Sequence, residues 1–217
     1  HTPGFGSAAK YVAASVCEIG LDASGYKAKS VTIIEIMGRH AGWLTAAAAL
    51  ANLREHCCDL IYLPERDFDM DSFLADIERV YKAKGNCIVA VSEGVHYADG
   101  TFVSEAKTSG TDGFGHAQLG GLAARLAGIV KAKMGIKTIG IELSLLQRCA
   151  AHCASKTDID EAYMAGKAAV EAMLNGVTDK MVGFDCSRDN GYVCREKLID
   201  LSEVANYENK VPQEWIN

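Results

Sequence analysis

Short β-branched runs alternating with helix-length segments constrain this chain more than any other feature. Val31-Thr32-Ile33-Ile34-Glu35-Ile36-Met37, Leu60-Ile61-Tyr62-Leu63, Cys87-Ile88-Val89-Ala90-Val91 and the segment Lys137 to Leu143 have the length and side chains of buried strands. Helical patterns lie between and around them. Ser7 is placed to cap a helix over Ala8 to Ile19, with Val12, Val16 and Ile19 on one face. His40 to Cys57 is rich in Ala and Leu, and Asp71 to Lys84 turns Phe73, Leu74, Ile77, Val80 and Tyr81 to one side before Gly85. Leu119 to Met134 follows, then Asp158 to Leu174 with an acidic first turn that suits the positive end of a helix dipole. Met181 to Phe184 and Tyr192 to Cys194 read as short late strands. Strands joined by crossover helices predict an α/β three-layer sandwich whose sheet is mostly parallel.

Composition narrows the function classes. The chain has 217 residues, 49% of them hydrophobic, and a formal net charge of −6 with both signs interspersed. A nucleic-acid binder needs a basic face to neutralise phosphates, so none is expected as a partner. The apolar stretch from Leu44 to Leu53 is too short to span a bilayer and carries Thr45 and Asn52, so no membrane association is expected. Eight cysteines without a framework spacing suggest free thiols in a reducing cytoplasm. Cys149, His152 and Cys153 form the alternative, a metal site, but no second ligand pair follows at a zinc-site spacing. The opening lacks a secretory pattern. The chain begins with His1 in a turn-like run rather than with Met, which suggests that a segment belongs upstream.

In parallel sheets, ligands collect at the carboxyl ends of the strands. That rule directs attention to Met37 to Arg39, to Glu93, and to Ser144 to Arg148, each following a predicted strand. After the first strand comes Met37-Gly38-Arg39-His40-Ala41-Gly42-Trp43-Leu44. Its glycine permits close backbone approach, the helix start beyond it offers N–H donors, and Arg39 adds a forked cation suited to phosphoryl oxygens. Spacing alone leaves a tight turn with a surface arginine equally open. Between Tyr97 and His116 lies a glycine-rich segment of loop character. Its Gly110-Thr111-Asp112-Gly113-Phe114-Gly115 run does not join a strand to a helix, as a phosphate loop must.

Four ordered motifs together resemble the phosphofructokinase family. The Met-Gly-Arg-His-Ala-Gly-Trp-Leu run is similar to its sugar-phosphate signature. His1-Thr2-Pro3-Gly4-Phe5-Gly6-Ser7-Ala8-Ala9-Lys10-Tyr11 resembles the segment after the family's catalytic aspartate. Val91-Ser92-Glu93-Gly94 resembles the strand end whose glutamate binds sugar hydroxyls, and Leu145-Leu146-Gln147-Arg148 the later motif ending in a phosphate-binding arginine. The resemblance implies that Met37 and Gly38 contact the sugar phosphate and that Arg39 stabilises the phosphoryl group in flight, as the catalytic residue of this chain. Glu93 would take the fructose hydroxyls and Arg148 the 6-phosphate. Leu145 stands where many members carry Tyr or His, so any contact there falls to backbone. Thr157 occupies the place of a second arginine, with His152 and Lys156 nearby.

His1 to Ser7 and the run Ala150-Ala151-His152-Cys153-Ala154-Ser155-Lys156-Thr157-Asp158 resemble the pyrophosphate-using branch more than the ATP-using one. The implied reaction moves a phosphoryl group from pyrophosphate to the 1-hydroxyl of fructose 6-phosphate, a glycolytic step. An ATP donor, or a non-catalytic sugar-phosphate-binding regulatory subunit, are the alternatives. Mg²⁺ would ride on the donor phosphates with its ligands outside this chain, and no residue here is expected to bind metal. The resemblance also divides the chain. Residues 1–147 would form the fructose-6-phosphate domain, and 148–217 would return to a donor-binding domain whose first half is absent. The expected partners are fructose 6-phosphate, pyrophosphate or ATP, the missing N-terminal portion, and further copies in a homo-oligomer.

Overall fold

The structure is a computed structural model that describes residues 4–54, 56–104, 121–204 and 207–216. They divide into two compact units, residues 9–147 with 209–217 and residues 1–8 with 148–208.

The larger unit is built on a parallel sheet of four strands in the order β2-β3-β1-β4: β1 (Val31–Ile36), β2 (Leu60–Tyr62), β3 (Cys87–Ser92) and β4 (Thr138–Glu142). β1 and β3 are central and buried along their whole length, which is why both read as continuous β-branched runs. Successive side chains alternate between the faces. Val31, Ile33, Val89 and Val91 meet α3 (Met70–Lys84) and α4 (Leu122–Met134) through Phe73, Ile77, Leu126 and Val130 in one core cluster. Each large apolar side chain buried there contributes about 1.5–3 kcal/mol. Thr32, Ile34, Ile36, Ile88 and Ala90 point the other way and are buried too, on the side of α1 (Phe5–Gly25). The sandwich expected from the sequence is the fold observed.

Local chemistry explains where elements depart from expectation. α3 starts where Asp69 accepts a hydrogen bond from Ser72 N at 2.8 Å, and ends where Gly85 turns left-handed at φ 81°. Ser7 is not an N-cap: the helix already begins at Phe5. The Ser7 hydroxyl instead donates to Asp158 at 2.5 Å and accepts from Ser155 N at 2.8 Å. The helix expected from His40 to Cys57 is one α-turn, α2 (Trp43–Ala46), followed by a 3₁₀ segment Ala47–Leu53. Its end is fixed by Asn52, whose amide exchanges two 2.8 Å hydrogen bonds with the Cys58 backbone. α4 begins at Leu122, and the Gly110–Gly115 run lies outside the described residues.

The smaller unit holds α5 (Lys156–Leu174), the strands β5 (Lys180–Ser187) and β6 (Val193–Asp200), and the short α6 (Leu201–Val204). The two late strands are longer than expected and pair antiparallel, with Lys180 opposite Asp200 and Cys186 opposite Cys194. α5 buries none of its residues, and Tyr163 and Leu174 are 75% and 76% exposed. All eight cysteines are free thiols; Cys57, Cys58 and Cys87 are buried, whereas Cys149 and Cys186 are exposed. No helix among the described residues is long and apolar enough to cross a membrane.

Candidate functional site

The carboxyl ends of β1 and β3 lie side by side because the strands pair in register from Val31–Cys87 to Ile36–Ser92. Both chains then turn and lock onto each other. Glu93 N donates to Ile36 O at 2.9 Å, Gly94 N to Gly38 O at 3.2 Å, and the Ser92 hydroxyl to Gly38 O at 2.6 Å. The Glu93 carboxylate accepts from Gly38 N at 3.2 Å. Met37, Gly38, Arg39 and Glu93 are thus brought together at the carboxyl ends of the two central strands.

Two glycines make this crossing sterically feasible. A Cβ on Gly38 would come within 2.7 Å of Ala41 O and the Ser92 hydroxyl. A Cβ on Gly94 would sit 1.8 Å from Arg39 O, so the backbone carrying Arg39 passes directly over Gly94. Arg39 is consequently held by the end of β3 as well as by its own strand.

A third tie comes from the 3₁₀ turn Ser144–Arg148 after β4. Gln147 is 2% exposed, accepts from Met37 N at 3.1 Å and donates to Ser144 O at 3.1 Å. The turn starts from a left-handed Ser144 at φ 46°, a conformation that costs energy in a residue with a side chain. Leu145 is 55% exposed on this turn. Arg148 closes the turn, is exposed, and is the first residue of the other unit's 148–208 segment.

Electrostatics at the strand ends is set by burial. The Glu93 carboxyl is pushed above the usual carboxylate range by burial, opposed by the Gly38 amide and the Arg39 guanidinium. Beneath it, Glu35 on β1 is 5% exposed and accepts from Ala123 N, in the first turn of α4, at 2.9 Å. Burial raises its pKa to about 7, with Glu142 and Glu93 adding to the rise and the Ala123 and Leu122 amides opposing it. No group of three or more His, Cys, Asp or Glu among the described residues is placed to hold a metal ion.

Sequence reading missed Gln147 and Gly94 as positioning residues, although both stood inside quoted motifs. It also missed Glu35. A buried carboxylate within an apolar strand was the available signal.

The larger unit is thus a parallel α/β sheet that carries Arg39 and Glu93 at the carboxyl ends of its two central strands. The family model described as phosphofructokinase matches residues 1–142, and the chain belongs to that family. It is 44% identical over its full length to a pyrophosphate--fructose 6-phosphate 1-phosphotransferase from Halomonas elongata, covering 52% of that protein. It is 35% identical over 95% of its length to a sulfofructose kinase from Alkalicoccus urumqiensis, covering 53% of that protein. The crystal structure of a pyrophosphate-dependent phosphofructokinase from Marinobacter aquaeolei matches 99% of this chain with a TM-score of 0.79 and 37% identity, and the match spans 50% of that chain. The chain spans about half the length of the curated relatives it matches.

Proposed function

We propose that the protein carrying this chain transfers a phosphoryl group from pyrophosphate to the 1-hydroxyl of fructose 6-phosphate, and that this chain supplies the acceptor side. The observation that carries the reading is the interlocked pair of strand ends, in which the Gly38 amide and the Glu93 carboxylate fix Arg39 at the carboxyl end of β1. With one Glu93 oxygen engaged by Gly38, the other is the acceptor for fructose hydroxyls. Met37 and Gly38 are the proposed contacts to the sugar phosphate. Arg39 compensates charge on the phosphoryl group as it moves between oxygens, an effect realised mainly in the transition state. Arg148 is the proposed cation for the 6-phosphate, and Leu145 contributes backbone only.

The proton of the 1-hydroxyl goes to a base in the part of the relatives' length that this chain does not span. The same segment is the proposed cover for the apolar side chains of α5, since exposed apolar patches of that kind mark interaction surfaces. Magnesium belongs to this reading as a companion of the donor phosphates that neutralises their charge, and the described residues of this chain supply no cluster to hold it. Cytoplasmic location, a role in glycolysis and homo-oligomerisation are parts of the same proposal.

The test is a donor and acceptor panel on the intact protein. Pyrophosphate with fructose 6-phosphate is expected to give fructose 1,6-bisphosphate far faster than ATP does, and faster than either donor phosphorylates sulfofructose. Preference for ATP refutes the donor, and preference for sulfofructose refutes the acceptor.

A further inference from the structure

The loop from Met37 to Trp43 has a second edge, away from β3. There Gly42 packs under the turn that follows β2. A Cβ on Gly42 would lie 2.8 Å from Pro64 Cδ and from Glu65 Oε2, and 2.9 Å from Leu63 Cδ2. Glu65 Oε1 accepts from Gly42 N at 2.8 Å and also from Val211 N at 3.0 Å. One carboxylate oxygen therefore joins the loop to the chain's last described segment.

That segment is fastened at further points. The Trp43 indole donates to Asn209 O at 2.7 Å, and Gln213 Nε2 donates to Glu65 O at 3.1 Å. Trp43 and Trp215, the two tryptophans of the chain, meet edge to face with centroids 5.9 Å apart. Val211 is 4% exposed, so its amide cannot rely on water if Glu65 is lost. The other oxygen of Glu65 is buried and makes no hydrogen bond among the described residues. A carboxylate placed that way is costly, and its side chain accepts hydrogen bonds from Gly42 and Val211.

We infer that Glu65 is a positioning residue for the phosphoryl-transfer loop, clamping Gly42 and the 209–216 segment together so that Arg39 is held from both edges. The inference rests on the proposed role of Arg39. Gly94 and Gln147 fix the loop near β3 and β4, and Glu65 with Trp215 fixes it beyond Ala41. Displacement of a charged group by about 1 Å can cost ~100-fold in rate, so a released loop edge would show in kcat before it showed in acceptor binding.

The experiment measures steady-state kinetics of the intact protein with pyrophosphate and fructose 6-phosphate for Glu65→Ala, Glu65→Gln, Trp215→Ala, Arg39→Ala and the Glu65→Ala/Trp215→Ala double variant. Glu65→Ala is expected to lower kcat by roughly tenfold or more with acceptor KM within about twofold. Glu65→Gln, which keeps an acceptor oxygen, recovers most of that loss. Trp215→Ala lowers kcat by a smaller factor, and the double variant is no worse than Glu65→Ala alone, because both changes open one clamp. Should Glu65→Ala fail to fold, Trp215→Ala still decides, since Trp215 is 66% exposed and its loss leaves the core intact. A kcat within twofold of the parent for both single variants, or factors that multiply in the double variant, overturns the inference. If Arg39→Ala alone abolishes turnover while Glu65→Ala and Trp215→Ala do not change it, the clamp falls and the function stands. If Arg39→Ala leaves kcat unchanged, the function and the clamp fall together.

Discussion

Replacing Glu35 with glutamine tests how the strand ends tolerate a buried carboxylate. The side chain sits in the middle of the sheet, facing α4, with its pKa raised to about 7 from an ordinary 4.5. In the unfolded chain the proton leaves near 4.5, and in the folded protein it stays until about 7. Between those values the folded state binds more protons than the unfolded state. This group's contribution therefore makes the protein less stable as pH rises through the window. The interval is worth about 3 kcal/mol. Glutamine keeps a carbonyl oxygen for the Ala123 amide and removes the charge that Glu93 and Glu142 oppose. Urea unfolding of parent and Glu35→Gln proteins at pH 5 and pH 8 is the assay, with the denaturant slope checked for constancy. At pH 8 the variant should be the more stable by up to about 3 kcal/mol, and at pH 5 the two should lie within ~1 kcal/mol, the worth of an altered hydrogen bond. A difference that is the same at both pH values, or a parent that gains stability relative to the variant as pH rises, refutes the reasoning.

Two further outcomes follow from the interlocked loops. Gly94→Ala places a methyl group 1.8 Å from Arg39 O, so the loop must shift; kcat should fall by more than tenfold, and thermal unfolding should report a loss of at least ~1–3 kcal/mol. An active, equally stable variant would mean that the two backbones do not cross there. Glu93→Ala should raise the fructose 6-phosphate KM roughly tenfold, because charge-assisted hydrogen bonds are worth ~1.5–3 kcal/mol, and an unchanged acceptor KM would remove Glu93 from the sugar.

The sheet was legible because β1 and β3 are buried on both faces, which leaves an uninterrupted β-branched signature, and because parallel topology places ligands at strand ends. The same rule pointed to Met37, Gly38, Arg39 and Glu93. It applied equally to the end of β2, yet Glu65 carried no motif to single it out. Its role depends on Val211, 146 residues away, and no local pattern encodes such a pairing. Ser7 shows the converse: it has the right chemistry for a cap, but a tertiary partner, Asp158, claims its hydroxyl. The β5–β6 hairpin was underestimated because Asp185, Arg195, Glu196 and Lys197 interrupt its apolar alternation, and the hairpin leaves most of its side chains exposed.

The central claim is that Arg39 acts on the phosphoryl group rather than on the fold. Steady-state kinetics of Arg39→Ala in the intact protein, with pyrophosphate and fructose 6-phosphate both varied, measures this most directly. The account predicts a kcat lowered by two or more orders of magnitude, roughly the ~3–4 kcal/mol that a positioned transition-state charge supplies, with a much smaller change in acceptor KM. An unchanged kcat, or a loss confined to KM, contradicts it.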